Sequence, residues 1–308
     1  MDILIVGAGA LGCLLGARLS ETDASVVLFS TNRPHMEAVR KSGLNIEELD
    51  GKVRNYPMSG IWEVDKLPRN PDLAIVVVKS YATDEAMSIV RSICSASTVF
   101  LTLQNGIGNW ERMARAVGKE AVLAGSTAQG STLLGPGLIR HGGNGPTHIG
   151  EPGGAVSARV ERVVALFRQA GLATEASDQV EKLIWQKLIV NVGINAITAL
   201  TGIRNGMIAE VEEAAGLCRA AVLEALAVAG TKGFPMGEEM VERVLSVAGA
   251  TARNRSSMGQ DVDRKKRTEI DAINGAIVRF GREAGVATPV NGTLTSLIKV
   301  LETQYSGR

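Results

Sequence analysis

Lys187, Asn191 and Asn195 recur at intervals of four inside the apolar stretch "EKLIWQKLIVNVGINAITALTG". At 3.6 residues per turn they fall nearly in line, one narrow polar stripe among Leu188, Ile189, Val190, Val192, Ile194 and Ile197. Each interior Asn costs a helix about 0.5 kcal/mol against Ala. Either the stripe is the solvated side of an amphipathic helix, or its side chains line a site. A second polar set lies in "ATARNRSSMGQDVDRKKRTEIDAINGAI". There Asn254 and Ser257 are spaced to project from one side of a helix, as a binding pair or as an ordinary polar face. Glu269 shares a helical face with Ile273, Ala276, Ile277 and Phe280, at the fringe of a core or held inside it by a partner. A lysine, a glutamate, several amides and a hydroxyl would suit hydride transfer to a ketone. The lysine stabilises and protonates the growing oxyanion, and neutral donors hold hydroxyl and carboxylate groups. His35, His141 and His148 all lie in the other half of the chain, so lysine is the candidate acid.

That other half opens with "ILIVGAGALG", a strand-like run followed by Gly7, Ala8, Gly9, Ala10, Leu11 and Gly12. Gly7 would make the tight turn, Gly9 would admit a pyrophosphate to the backbone, and Gly12 would let helix and strand pack closely. A helix opening at Ala10 would present free N–H groups and a partial positive charge to phosphates. The second strand ends in "LFSTNRPH", without the acid that holds a ribose 2′-hydroxyl. Ser30, Thr31, Asn32 and Arg33 suit a 2′-phosphate instead, so NADP is the expected cofactor and Arg33 its candidate cation or a solvated loop residue. Lys79 in "VVVKS" and Asn105 in "LTLQNGIG" follow strand ends, where ligands of doubly wound sheets lie, although a snorkelling lysine and a plain turn remain open.

These residues need a scaffold of two parts. Ile3–Val6, Ser25–Phe29, Leu73–Val78, Ser97–Leu103 and Ala121–Ser126 are continuous aliphatic runs, the pattern of strands buried on both faces of a largely parallel sheet. "LIRH" and "THIG" in the glycine-rich stretch that follows read as short antiparallel edge strands. Beyond Asp178, a candidate N-cap, helices are expected at about 179–200, 207–230, 237–258 and 261–284, with a last one ending near Tyr305. The expected fold is α/β: a Rossmann-type dinucleotide-binding domain over 1–178 and an all-helical substrate domain over 179–308. At 308 residues the chain is long enough for two cores. A net charge of +1 excludes an electrostatic pull toward nucleic acid or membrane, and "RKKR" (Arg264 to Arg267) reads as the exposed side of a helix. Cys13, Cys94 and Cys218 fit no metal spacing and suit a reducing compartment. With no secretory leader and no bilayer-spanning stretch in view, the expected location is the cytoplasm.

"GAGALG", "VVVKS", "LQNGIG", "GPTHIGEP", "WQKLIVNVGINAITALTG", "ATARNRSSMGQDVDRKKRTEIDAING" and "GVATPVNGTL" occur in that order across nearly the whole chain. Together they resemble the ketopantoate reductase family, which reduces 2-dehydropantoate to pantoate with NADPH in pantothenate biosynthesis. The resemblance implies that Lys187 is the general acid and that Asn191, Asn195, Asn205, Asn254 and Ser257 bind the substrate. By the same resemblance Glu269 lies at the nicotinamide–substrate junction, Lys79 and Asn105 contact the cofactor, Asn105 also reaches the substrate, and Ser131 is a further cofactor contact. In "STNR" the segment after the second strand is one residue longer than the family pattern, so Arg33 has no clean counterpart. Expected partners are a small 2-oxo acid and no metal, nucleic acid or membrane, with a homodimer left open. The alternatives are a paralogue acting on another branched 2-oxo acid and a non-catalytic NADP-binding sensor, which would have no use for a proton donor.

Overall fold

The computed structural model describes residues 1–305 and divides into two compact units. One comprises Met1–Gln104 with Gly108–Leu183, the other Asn105–Ile107 with the chain from Ile184 onward. In the first unit the order is β1 (Asp2–Val6), α1 (Ala10–Leu19), β2 (Ser25–Phe29), α2 (Arg33–Ser42), β3 (Leu44–Glu47), β4 (Val53–Tyr56) and β5 (Ser59–Ile61). It continues with β6 (Leu73–Val76), α3 (Thr83–Val90), β7 (Val99–Thr102), α4 (Asn109–Val117), β8 (Val122–Gly135), β9 (Leu138–Gly150), α5 (Ala158–Gln169) and β10 (Thr174–Ala176).

These ten strands form one sheet in the order β4-β3-β9-β8-β7-β6-β1-β2-β5, with β10 on β9. Around β1 all pairings are parallel, as the aliphatic runs predict. Val6 pairs with Phe29 on one side and Val76 on the other, and Val76 pairs with Thr102. The loops after β1, β2, β6 and β7 therefore leave one common edge, which is where side chains following strands can converge. Gly12 through Ala17 and Leu19 are all buried, because α1 is packed against strands on several sides, and a helix enclosed this way has no polar face to show.

Two expectations are corrected here. "LIRH" and "THIG" belong to a single strand, β9, whose long antiparallel pairing with β8 includes register shifts at Thr127/Gln129, Gly130/Ser131 and Leu133/Gly135. Glycine hides it: a Cβ on Gly145 would lie 2.5 Å from that of Ala128, so close approach of the strands replaces side-chain alternation. The strands β3, β4 and β5, three or four residues each, add to the expected set, because their sequences carry too few apolar residues to stand out.

The helical unit contains α6 (Val180–Thr201), which begins in the first unit, then α7 (Met207–Glu210), α8 (Glu212–Thr231), α9 (Glu239–Ala250), α10 (Ser257–Asp263), α11 (Asn274–Ala284) and α12 (Pro289–Thr303). The expected helices 207–230, 237–258 and 261–284 are thus broken or shorter. Asp178 is not the N-cap of α6: Leu183 N–H bonds to the Gln179 carbonyl, and the Ser177 hydroxyl accepts from Gln179 N–H. Arg264 to Arg267 are exposed but follow α10 in a turn, with Lys265 at φ 52°, rather than lying on a helix. By length and composition alone α6 and α8 are apolar enough to cross a bilayer, each with a mean hydropathy of 1.4, as buried core helices also can be. Both pack into the core of the helical unit, with 61% and 44% of those windows buried.

Close packing sets α6 in place. A Cβ on Gly193 would meet Val244 Cγ1 at 2.7 Å, and Cys218 Sγ and Val222 Cγ2 at 2.9 Å, so α8 and α9 press on this one turn. On the same turn the Val192 carbonyl accepts from Asn274 Nδ2, which also donates to Asn291 Oδ1. Asn291 donates onward to Glu224 and to the Ala221 carbonyl, linking α6, α8, α11 and α12 through fully buried amides. Gly193→Leu is expected to lower the melting temperature by several degrees. Overpacking of about 1–3 kcal/mol or more exceeds the propensity gain of about 1 kcal/mol from replacing a helical glycine. An unchanged calorimetric transition would show that this contact is slack.

Candidate functional site

The dinucleotide candidates form a turn fitted to its neighbours. Gly7 has φ 99°, and a Cβ there would lie 2.5 Å from Val78 N, so the turn is pressed onto the segment that carries Lys79. Gly7 and Ala8 N–H both bond to the Phe29 carbonyl at 2.9 Å, fastening the turn to the end of β2. A Cβ on Gly12 would lie 2.5 Å from Gly7 O, whereas Gly9 is exposed and meets nothing nearer than 4.0 Å. The first intrahelical bond of α1 is Cys13 N–H to Gly9 O, and Gly9 provides no side-chain cap. The N–H groups of Ala10, Leu11 and Gly12 therefore lack helical acceptors at the positive end of the helix, with no acid in the first turn. Such a cradle fits the pyrophosphate of a dinucleotide.

The neighbouring candidates differ in availability. Asn32 Oδ1 caps α2 by accepting His35 N–H, and Ser30 Oγ accepts Asn32 N–H. Arg33 is exposed, ion-paired with Glu37 at 2.7 Å and stacked over Trp62. Lys79 is partly exposed, just beyond β6. Ser131 sits on β8 opposite His141, at a register shift. Gln104 of the "QNG" turn braces the scaffold, since its amide donates to the Val78 carbonyl and Thr83 hydroxyl and accepts from Thr102. Beside α1, the buried His35 Nδ1 accepts Gly137 N–H at 2.9 Å. The proton is thereby placed on Nε2, which faces Cys13 Sγ at 3.2 Å, and burial lowers the pKa of this imidazole while pushing the thiol up to about 12.

In the helical unit, Lys187, Asn191 and Asn195 do share α6. Asn195 is buried and its Nδ2 lies 3.5 Å from Ser257 Oγ, while Asn191 and Lys187 are half-buried. Burial lowers the Lys187 ammonium from 10.5 to about 8, and the charge of Glu269 opposes that shift, so the two groups interact. Glu269 is buried but not on the helical face expected for it. It sits in a bend between α10 and a single 3₁₀ turn, Ile270–Ala272, because the chain must turn before α11. Asn254 and Ser257 do not share a helix either: α9 ends at Ala250, Asn254 is in the loop, and Ser257 begins α10. Ser256 caps α10, its Oγ accepting Gly259 N–H.

Other partners are not visible in the sequence. Asn205 is buried, its Nδ2 donating to Thr251 Oγ1 at 3.0 Å and its N–H to the Asn254 carbonyl at 3.1 Å. Its Oδ1 has no hydrogen-bond partner. Whichever way the amide is turned, the described residues leave one of its polar atoms without a hydrogen bond. Asn105 belongs to this unit, held by the Ile107 N–H bond to the Ala272 carbonyl, one turn from Glu269. Gly106 between them has φ 80°, and a Cβ would lie 2.6 Å from Ala272 O. The helical unit thus assembles a cation of lowered pKa, a buried carboxylate, and amide and hydroxyl groups suited to a polar, oxygen-rich ligand. Among the described residues no cluster of metal-ligating side chains occurs.

Residues 3–154 match the family described as "Ketopantoate reductase PanE/ApbA", and residues 179–302 match its C-terminal counterpart, "Ketopantoate reductase PanE/ApbA C terminal". A 2-dehydropantoate 2-reductase of Halobacterium salinarum is 37% identical over 98% of this chain and 99% of its own. A PanE/ApbA family ketopantoate reductase from Ralstonia eutropha superposes with TM-score 0.92 at 30% identity, over 100% of both chains. A D-mandelate dehydrogenase solved with NADH and anilino(oxo)acetate superposes with TM-score 0.94 at 26% identity, again over 100% of both chains.

Gly106→Ala would force a left-handed φ on an L side chain and drive its Cβ into the Ala272 carbonyl. It is expected to displace Asn105 and raise the apparent KM for the bound ligand by about tenfold or more, since a shift of about 1 Å at a site costs up to 10²-fold. Wild-type kinetics in this variant would remove Asn105 from the site.

Proposed function

The chain belongs to the ketopantoate reductase family, and on that premise we infer that it reduces 2-dehydropantoate to pantoate with NADPH. The observation that carries the chemistry is Lys187, a half-buried ammonium with its pKa lowered to about 8 by desolvation, on the helix that also carries Asn191 and Asn195. When bound, the reduced nicotinamide supplies the two electrons and the hydrogen that the carbonyl carbon gains. Lys187 stabilises the negative charge growing on the carbonyl oxygen and gives that oxygen its proton, leaving a neutral amine that recovers its proton from solvent. Asn191, Asn195 and Asn205 hold the hydroxyl and carbonyl of the substrate. Asn254 and Ser257 hold its carboxylate. Glu269 keeps the ammonium charged against the cost of burial.

For the cofactor, the glycine turn and the N-terminus of α1 take the pyrophosphate, with Lys79 and Ser131 as further contacts. A 2′-phosphate is favoured by the absence of an acid at Ser30–Asn32 and by the exposed Arg33.

NADPH is expected to be oxidised when 2-dehydropantoate is supplied, and much faster than with phenyl-substituted 2-oxo acids or with NADH in its place. Turnover of a different 2-oxo acid would reassign the substrate, and no turnover of any would favour a sensor. Lys187→Ala should lose about 10²-fold or more in kcat, the usual contribution of a general acid. Near-normal turnover would dismiss Lys187 as the acid. The donor must be protonated, so the rate of reduction should be flat below pH 8 and fall about tenfold per unit as pH rises past the lowered pKa. A rate independent of pH from about 7 to 10 would contradict that role.

A further inference from the structure

Between Asn254 and Ser257 lies Arg255, whose guanidinium is engaged by groups of the helical unit itself. Arg255 Nη1 donates to the carbonyls of Thr198 and Ile203, the latter at 3.0 Å, at the C-terminal end of α6. Its Nε and Nη2 make a two-pronged pair with Asp263, both at 2.9 Å, across the length of α10. The Arg255 side chain is only 14% exposed. Thr198 is engaged twice, because its hydroxyl also donates to Ser256 Oγ at 2.7 Å, the atom that caps α10. Gly259 leaves room for this arrangement: a Cβ there would fall 2.7 Å from Arg255 Cζ and 2.8 Å from Nε.

We propose that Arg255 is a positioning residue that clamps the 254–257 segment between the end of α6 and the end of α10, and so sets Asn254 and Ser257 against Asn195 and Asn205. Four bonds from one planar fork fix both the distance and the rotation of the loop, which a single hydrogen bond would leave free. A lysine cannot reproduce them, because it offers a point charge in place of a fork. The C-terminal carbonyls of α6 carry the negative end of its dipole, so the guanidinium is favoured there by charge as well as by geometry. The loop is then held relative to the helix that carries the stripe, one turn beyond Asn195. This role rests on the substrate reading given under Proposed function.

The test uses the full-length enzyme and three variants: Arg255→Lys, Asp263→Asn and Gly259→Ala. The last displaces the guanidinium without altering any charged group, and the helix propensity of alanine offsets part of the cost. KM for 2-dehydropantoate is expected to rise about tenfold or more in Arg255→Lys and Gly259→Ala and less in Asp263→Asn, with kcat and KM for NADPH within about threefold of wild type, the pattern of lost ground-state binding. Unchanged KM for the 2-oxo acid in an active Gly259→Ala enzyme would overturn the proposal. So would a uniform loss of kcat and both KM values that tracks a lowered melting temperature, which is a structural role only. Absence of turnover by the wild-type enzyme would overturn both this proposal and the substrate reading, whereas an unchanged KM in active variants overturns this one alone.

Discussion

The interaction on which the chemistry of the helical unit depends is between the half-buried Lys187 ammonium and the buried Glu269 carboxylate. Removing Lys187 from water disfavours its charge, and Glu269 returns part of that loss. The balance leaves the amine near a pKa of about 8, where it is mostly protonated at neutral pH yet gives up its proton far more readily than an exposed lysine. A small movement of either partner would shift that balance, so the two must be held rigidly. The surrounding packing provides this: Gly193 admits α8 and α9 to within contact of α6, and Asn274 and Asn291 join four helices through buried amides.

The two units offer their candidate binding groups by different physical means. In the first, the groups offered are backbone N–H groups at the start of α1, exposed because glycine removes the side chains that would cover them. Such a site tolerates variation in side chains but not in backbone conformation. In the second, the groups are side chains on helices and on one short loop, and their accuracy comes from how the helices pack. Asn205 illustrates the difference. Its position is set by Thr251 and by the Asn254 carbonyl, residues that are remote in sequence and adjacent only in the fold.

Much is legible in the sequence wherever a local rule governs the residue. The β1–α1 junction falls where the glycines place it, and α1 spans Ala10–Leu19 as its pattern indicates. The Lys187–Asn191–Asn195 stripe holds because helical spacing alone decides it. Legibility fails where two segments compete or cooperate. The apolar spacing puts Glu269 on the face of α11, yet a bend and a 3₁₀ turn intervene, and the apolar residues Ile270 and Ile273 are buried without an unbroken helix. The strand β9 reads as two because its glycines serve close contact with β8, a demand made by a partner strand.

By itself the sequence determined the types of group present and their order: a glycine-rich turn between a strand and a helix, a lysine on an apolar helix, and a distant cluster of amides, hydroxyl and carboxylate. It also determined the α/β fold class, because continuous aliphatic runs between helical patterns are the mark of strands covered on both faces. Only the tertiary structure decided that Glu269 acts on Lys187, that Asn105 belongs with the helical unit, and that Arg255 grips the end of α6. Lys187 and Glu269 are 82 residues apart, and the charge state of Lys187 depends on how much water remains around it and on the carboxylate the fold brings near it. Desolvation is a property of the assembled core, and no spacing along the chain encodes it.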